Sequence, residues 1–495
     1  MDAPLETPRS RRISVPLVLA LALLAVAARL PGAIRDAFWQ DEVSSARVIV
    51  QPSLGAMLHQ VRATEATPPL WYALGWLLHE LGFSPYGYRF FSVLCGGLLA
   101  VAMFLLARRL LAPFPAAVST AFIAFGYQFV YHGRELRAYE LYALLAVLFA
   151  IVLLRAVERP SGQRLLALGS VVAAGSLTNY FFLVILACGL FWVLLSRAAL
   201  QTRLRTSAAT VAGLVLFAPW IPSAIAQYDH HHFAWIGPFK APKVLSAYWL
   251  LVARVDPHTA VLHDLAPSLT LAAVLVAAVV LFRRPGTGRL VAVLAVLPVA
   301  ITAAVWAVGP EVFDPRNVLG TGPFAAIAIV AGLARMPVRL AAALGGVVLG
   351  LLAFGYASSE ATPPTDYEGI AHALVREGWN LNAPVILYGG NFFSFRSPLE
   401  WYLPGRPALT VGLPTGIPCQ RAYAVAVGDR RGEELARRLH WRNAKAVTRV
   451  MTATLPAPVR VPSHRLRAVH VLTVRRGHAT CVRPLTEVQL HRALG

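Results

Sequence analysis

Charged residues are scarce in this 495-residue chain: they make up 14% of it, against 57% hydrophobic residues and a mean hydropathy of +0.59. Soluble domains carry about 25% charge, so a wholly aqueous surface is excluded and a polytopic membrane protein is expected. Lysine is nearly missing, with Lys240, Lys243 and Lys445 the only three, so arginine carries most of the basic side of a net charge of +21. Cysteine is limited to four positions. Cys95 and Cys188 fall within apolar runs, which leaves Cys419 and Cys481 as the pair able to form a disulfide in an oxidising compartment. No HExxH spacing occurs, and the C-terminal part has no glycine-rich nucleotide fingerprint.

What the chain has instead is repeated apolar stretches, mostly of about 17 to 22 residues and so long enough to cross roughly 30 Å of hydrocarbon as a helix, the fifth being the shortest. Eleven spans are expected, at Ile13–Leu30, Tyr88–Ala107, Pro115–Tyr131, Tyr139–Val157, Leu165–Leu177, Tyr180–Leu195, Ala208–Ile225, Pro267–Phe282, Leu290–Val308, Val318–Ala334 and Val338–Phe354. Arg11-Arg12 and the run ending Ala25-Val26-Ala27-Ala28 also resemble a secretory signal, but Arg29-Leu30-Pro31 is a poor cleavage context, so the first span is expected to stay.

The basic residues punctuate every second gap: Arg9, Arg11 and Arg12; Arg108-Arg109; Arg155, Arg159 and Arg164; Arg197, Arg203 and Arg205; Arg283, Arg284 and Arg289; Arg335 and Arg339. These gaps are short and nearly free of acids, which is the positive-inside signature of cytoplasmic loops, and it argues against nucleic acid as the partner of the net charge. The other gaps hold the acids, including Asp36, Asp41, Glu42, Glu65, Glu135, Asp229, Glu311 and Asp314. Asp41-Glu42 is therefore expected on the outer face, and an odd number of spans puts the C-terminus there too.

A paired acid beside a bilayer is costly to keep, so Asp41-Glu42, within Phe38-Trp39-Gln40-Asp41-Glu42-Val43, is a site hypothesis; a solvated loop end is the plainer reading. It opens a long outer loop, 31–86, of the length usually reserved for function. Apolar residues at Val43, Ala46, Val50, Leu54, Met57, Leu58 and Val61 have helical spacing and suit an interfacial helix, broken in two by Pro52. Glu65-Ala66-Thr67-Pro68-Pro69-Leu70-Trp71-Tyr72 follows, with a proline pair that starts a helix over Leu70–Leu81. A second cluster, His132-Gly133-Arg134-Glu135-Leu136-Arg137-Ala138-Tyr139-Glu140, puts two arginines where an anionic group suits them, either a lipid-linked phosphate or Glu135, Glu140 and headgroups. A third, Glu311-Val312-Phe313-Asp314-Pro315-Arg316, offers Arg316 at the start of a span, to grip a phosphate or to snorkel.

Together these blocks resemble the polyprenyl-phosphate-sugar glycosyltransferases, the group containing protein O-mannosyltransferases, the aminoarabinose transferase of lipid A and the Rgt-type transferases of lipopolysaccharide core. The resemblance rests on Asp41-Glu42 after the first span, the acid-x-x-Pro-Pro-Leu stretch from Glu65, the Glu-x-Arg-x-Tyr block at Glu135, Arg137 and Tyr139, and Arg316 ahead of Gly322-Pro323. It covers most of residues 10–355 and departs at Thr67, where the family commonly writes histidine. It implies sugar transfer from a polyprenyl phosphate, with inversion, to a lipopolysaccharide, cell-wall glycan, glycolipid or protein acceptor at the outer face of a bacterial inner membrane. In that scheme Asp41 is the base, with Glu42 and Glu65 as positioning acids. Arg137 and Arg316, then Arg134 and Lys240, bind the leaving phosphate, and Trp39, Trp71 and Tyr139 face the substrate. Lys243 is a lower-ranked candidate for the same phosphate, with an interfacial anchor as its plainer reading.

The implied fold is mainly α: a polytopic helical bundle over residues 1–356, with the first outer loop catalytic, and a soluble extracytoplasmic α/β domain over 357–495. In that last part Pro384–Tyr388, Ala408–Gly412, Tyr423–Val427, Ala446–Met451 and Val469–Val474 read as strands, and Tyr367–Glu377 and Arg431–Leu439 as helices. No cofactor is expected, although Asp229, His230, His231, His232, Asp256, His258, His263 and Asp264 supply enough ligand types on one loop for a divalent ion. The competing class is a transporter or flippase of a lipid-linked saccharide. That class places its ionisable groups near the midplane of broken, repeated helices, whereas here they cluster at one face.

Overall fold

A computed structural model describes residues 14–230, 236–254, 260–361, 367–376, 385–388, 398–405, 422–427, 444–450 and 469–474. The chain divides into two compact units: Met1–Ile34 with Val48–Ser359, and Arg35–Arg47 with Glu360–Gly495. The segment carrying Asp41-Glu42 thus groups with the C-terminal residues and not with the apolar helices that flank it in sequence.

The first unit is helical, and its composition and helix lengths make this a membrane protein. Among the described residues eight helices are long and apolar enough to cross a membrane: Val15–Arg35, Pro85–Ala107, Tyr139–Glu158, Leu200–Asp229, Leu265–Phe282, Thr287–Val308, Pro315–Leu333 and Val338–Ala357. The other three expected spans correspond to shorter helices, Pro113–Phe125, Gly162–Ser176 and Phe182–Leu195, so a count of eleven is not confirmed. Instead of one span over 115–131, the helix Pro113–Phe125 stops at Gly126, whose backbone is extended, and a short helix Tyr127–His132 follows. The freed amides of Tyr127 and Gln128 donate to the carbonyls of Val252 and Leu250, so the interruption is satisfied inside protein, as hydrocarbon requires. Gly162–Ser176 and Phe182–Leu195 are separated by a turn in which Asn179 Oδ1 accepts the Phe181 amide. The Leu177 carbonyl accepts from Leu70, the first residue of the helix Leu70–Glu80, which ties this turn to that helix.

Burial separates central from peripheral helices. The apolar window of Tyr139–Glu158 is 78% buried and that of Pro85–Ala107 67%, against 11% for Val338–Ala357, whose side chains are left for lipid. At the centre Arg29 is fully buried and pairs with Glu140, also fully buried, at 2.7 Å. Its remaining donors go to the carbonyls of Ala25 and Ile123, so one guanidinium joins three helices. The pair fits because its neighbours lack side chains: a Cβ at Gly96 would lie 2.5 Å from Arg29 Nε, and one at Gly133 2.5 Å from Glu140 Oε1. In the stretch between the first two long helices the expected break at Pro52 is present, with Ser53 capping a helix over Leu54–Thr64.

In the second unit the helix Tyr367–Arg376, with Tyr367 and Ala371 buried, packs on a four-stranded sheet. Its strands are β1 (Val385–Tyr388), β2 (Ala422–Val427), β3 (Ala444–Val450) and β4 (Val469–Val474), in the order β1-β2-β4-β3. β1 and β2 are parallel, the other pairs antiparallel, and a register shift falls between Ala446 and Thr448. The expected strand Ala408–Gly412, the expected helix Arg431–Leu439, and Cys419 and Cys481 lie outside the described residues.

Candidate active site

In the second unit, Trp39 opens a helix that runs through Gln40–Ile49: its carbonyl accepts from the amides of Glu42 and Val43. Glu42 reaches back to accept the Trp39 amide at 3.4 Å, the reciprocal half of a capping box, and is only 1% exposed. Asp41, at the second helical position, is half-buried. One carboxylate of the pair is thus turned inward to fix the start of the helix, and the other is set in its first turn. Trp39 is half-buried, and its buried indole N–H finds no acceptor among the described residues.

In the first unit, Glu65 closes the helix Leu54–Thr64 and is 3% exposed. Arg137 donates to its Oε2 at 3.0 Å, and the Tyr72 hydroxyl donates to the same oxygen at 2.6 Å. With Tyr72 committed as a donor, the Thr67 hydroxyl 3.1 Å away is the donor to Tyr72. Thr67 therefore supplies a donor in the chain Thr67 to Tyr72 to Glu65. The guanidinium carbon of Arg137 lies 6.0 Å from the centroid of Tyr139, and that of Arg316 lies 5.8 Å from the same ring. One aromatic side chain thus gathers two arginines far apart in sequence, and cation–π attraction offsets part of their repulsion. The Tyr139 ring is itself held by His132, 4.8 Å away, whose Nδ1 meets Glu135 at 2.8 Å.

Asp314 extends the cluster. Its Oδ1 accepts the Arg316 amide, capping the 3₁₀ helix Pro315–Thr321, and lies 3.6 Å from Arg316 Nε, while its Oδ2 lies 3.0 Å from Lys243 Nζ. Lys243 also stands over Trp306, which stacks on Phe313. Lys243 thus lies in this cluster, whereas Lys240, the N-cap of the helix Ala241–Trp249, is exposed. Arg134 is buried, packs against Gly32 and donates to the Ser359 carbonyl, a helix-tying contact. Trp71 is 2% exposed with its ring on Phe91, which is a core position. Tyr72, Asp314 and the His132–Glu135 dyad went unranked in sequence. Asp314 carried a signal, an acid directly before Pro-Arg at a helix start; Tyr72 looked like one more interfacial aromatic.

Burial pushes the Tyr72 phenol well above its ordinary pKa, and Glu65 adds to the rise while Arg137 opposes it. A folded-state value above the unfolded one leaves the stabilisation intact below the unfolded pKa of about 10 and removes it as pH rises beyond. Tyr72→Phe, which deletes a hydrogen bond to a carboxylate, is expected to cost ~1.5–3 kcal/mol. That deficit should stay constant between about pH 6 and 9 in thermal-unfolding scans, a changing deficit counting against a permanently protonated donor.

Among the described residues no group of three or more histidine, cysteine, aspartate or glutamate side chains could hold a metal. His231, His232, Asp256 and His258 lie outside the described residues.

Residues 66–222, a stretch that includes Thr67, Tyr72, Arg137 and Tyr139, match the family described as dolichyl-phosphate-mannose-protein mannosyltransferase. No match is found among curated protein sequences. In structure the chain is similar to ArnT from Cupriavidus metallidurans in the apo state, with TM-score 0.56 and 14% identity over 92% of this chain and 97% of that one. ArnT bound to undecaprenyl phosphate gives TM-score 0.53 with the same identity and coverage. The archaeal oligosaccharyltransferase AglB from Archaeoglobus fulgidus, in complex with an inhibitory peptide and a dolichol-phosphate, gives TM-score 0.53 and 12% identity over 86% of this chain and 70% of that one. The chain shares the fold of ArnT and AglB.

Proposed function

We propose that the protein is a membrane glycosyltransferase that moves a sugar from a polyprenyl-phosphate donor to an extracytoplasmic acceptor with inversion. The observation that carries this reading is the pair Arg137 and Arg316 gathered on Tyr139, with Glu65 fixing one and Asp314 the other. Two planar, permanently charged donors suit a phosphate monoester that gains charge as it departs. The fold shared with ArnT, solved with undecaprenyl phosphate, supports a polyprenyl carrier.

Asp41 takes the proton of the acceptor hydroxyl as its oxygen attacks the anomeric carbon. The bond from that carbon to the phosphate oxygen breaks, the phosphate leaves with the electron pair, and Arg137 and Arg316 neutralise it. Glu42 holds the helix start that presents Asp41, Glu65 holds Arg137, and the open indole donor of Trp39 is a candidate contact for a sugar or acceptor hydroxyl. Lys243 is a further candidate for the phosphate, ahead of Lys240 and Arg134. The acceptor class is a lipopolysaccharide, cell-wall glycan, glycolipid or protein. The arginine-rich gaps support a cytoplasmic inner side, and so a bacterial inner membrane with Asp41 and the α/β part, 357–495, facing outward.

The test incubates the purified full chain with a panel of polyprenyl-phosphate sugars and follows release of polyprenyl phosphate. Release requires a transferase; saccharide movement into sealed proteoliposomes without release would establish the transporter class instead. Within an active pair, Arg316→Ala is expected to raise the donor KM roughly tenfold to a hundredfold, the effect of one charge-assisted phosphate contact of ~1.5–3 kcal/mol. Arg316→Lys should recover only part of it, because lysine lacks the bidentate fork. An unchanged KM for both variants removes Arg316 from the phosphate site.

A further inference from the structure

We propose that Tyr402 and Glu400 are positioning residues for Asp41, so that the C-terminal unit acts as a clamp on the base-bearing segment. The proposal rests on the reading of Asp41 as the base and adds the groups that orient it.

The segment Arg35–Arg47 belongs to the same compact unit as residues 360–495, and three contacts span its length. Arg35 Nη2 meets Glu360 Oε2 at 3.2 Å near one end. The Phe38 amide donates to the Tyr402 hydroxyl at 2.6 Å. Arg47 Nη2 meets Glu400 Oε2 at 3.3 Å at the other end. Tyr402 and Glu400 come from one helical turn over 398–402, which is anchored by buried Leu399, Trp401 and Leu403. Between the contacts the segment is stiff, because Glu42 closes the helix start on Trp39 and Phe38, Val43, Ser45 and Ala46 are buried.

The contacts differ in kind. Arg35 is half-exposed and Arg47 is 42% exposed, so the two ion pairs set orientation more than stability. The Tyr402 bond answers a backbone amide of a wholly buried residue, which needs a partner, and it lies one residue before the cap of the helix that carries Asp41. A rigid helix held near both ends has a fixed axial rotation, and rotation decides where a first-turn carboxylate points. A displacement of about 1 Å at a reacting group costs on the order of a hundredfold in rate.

The experiment uses the full chain with a donor it turns over, reading polyprenyl phosphate release as kcat and donor KM alongside thermal stability. The variants are Tyr402→Phe, Glu400→Gln, Arg47→Glu, Glu400→Arg and the Arg47→Glu/Glu400→Arg swap, with Asp41→Asn as control. Tyr402→Phe is expected to lower kcat roughly tenfold to a hundredfold with donor KM within about twofold. Glu400→Gln should lower kcat about threefold to fivefold, and the swap should exceed either single charge reversal. A purely structural role would lower stability without splitting kcat from KM, and would show no recovery in the swap. Wild-type kcat in both Tyr402→Phe and Glu400→Gln, with Asp41→Asn inactive, overturns the clamp and leaves the base assignment standing. Wild-type release by Asp41→Asn overturns the base assignment and the clamp with it. If Tyr402→Phe fails to fold, Glu400→Gln and the swap decide the matter on the same criteria.

Discussion

Asp41→Asn is expected to slow release of polyprenyl phosphate by ~10²–10⁴-fold, the usual contribution of a positioned general base. The substitution keeps the size and shape of the side chain in the first turn of the helix Gln40–Ile49, where asparagine still accepts hydrogen bonds. Thermal unfolding of the same variant reads what loss of the negative charge costs the fold. A large loss of rate at nearly constant stability separates a chemical role from a structural one. The decisive measurement is single-turnover release under saturating donor, which isolates the chemical step from donor binding. Release at the wild-type rate would mean that another group takes the proton.

The second large effect lies far from any reacting group. Arg29→Met is expected to destabilise the helical unit by ~3–5 kcal/mol, because it leaves Glu140 buried without its cation. Glu140 is fully buried, and its second oxygen already lacks a hydrogen-bond partner among the described residues. The Arg29→Met/Glu140→Leu double variant should recover most of the loss, since two apolar side chains replace the pair without stranding a charge. Thermal unfolding in detergent reads both. A single variant as stable as wild type, or a double variant worse than the single, would contradict a pair whose worth is mutual. Donor KM is not the readout here, which distinguishes this arginine from Arg137 and Arg316.

These two residues show what a sequence makes visible. Asp41 stood out because acids are rare in an apolar chain and its neighbours in sequence explained nothing about it. Arg29 was equally out of place in an apolar run, yet it read only as an unsuitable cleavage context, because its partner is 111 residues away. Glu140 was weighed as a partner for Arg134 and Arg137 on proximity in sequence. In the fold Glu140 belongs to Arg29, Glu135 to His132 and Glu65 to Arg137. Interrupted spans escaped detection for a similar reason. Hydropathy around Gly126 and Asn179 stays high, and the chain leaves the helix there because distant groups accept or supply its backbone hydrogen bonds.

By itself the sequence determined that this is a polytopic membrane protein, which gaps are basic and which acidic, and which short blocks hold the candidate site residues. Hydropathy, charge asymmetry and proline-set turns are local properties, so they can be read one segment at a time. Only the tertiary structure decided which acid meets which base, that Lys243 and not Lys240 joins Arg316, and that the Asp41 segment belongs with Tyr402 and Glu400. Those are choices among many chemically equivalent pairings, and close packing makes them by bringing together residues hundreds of positions apart.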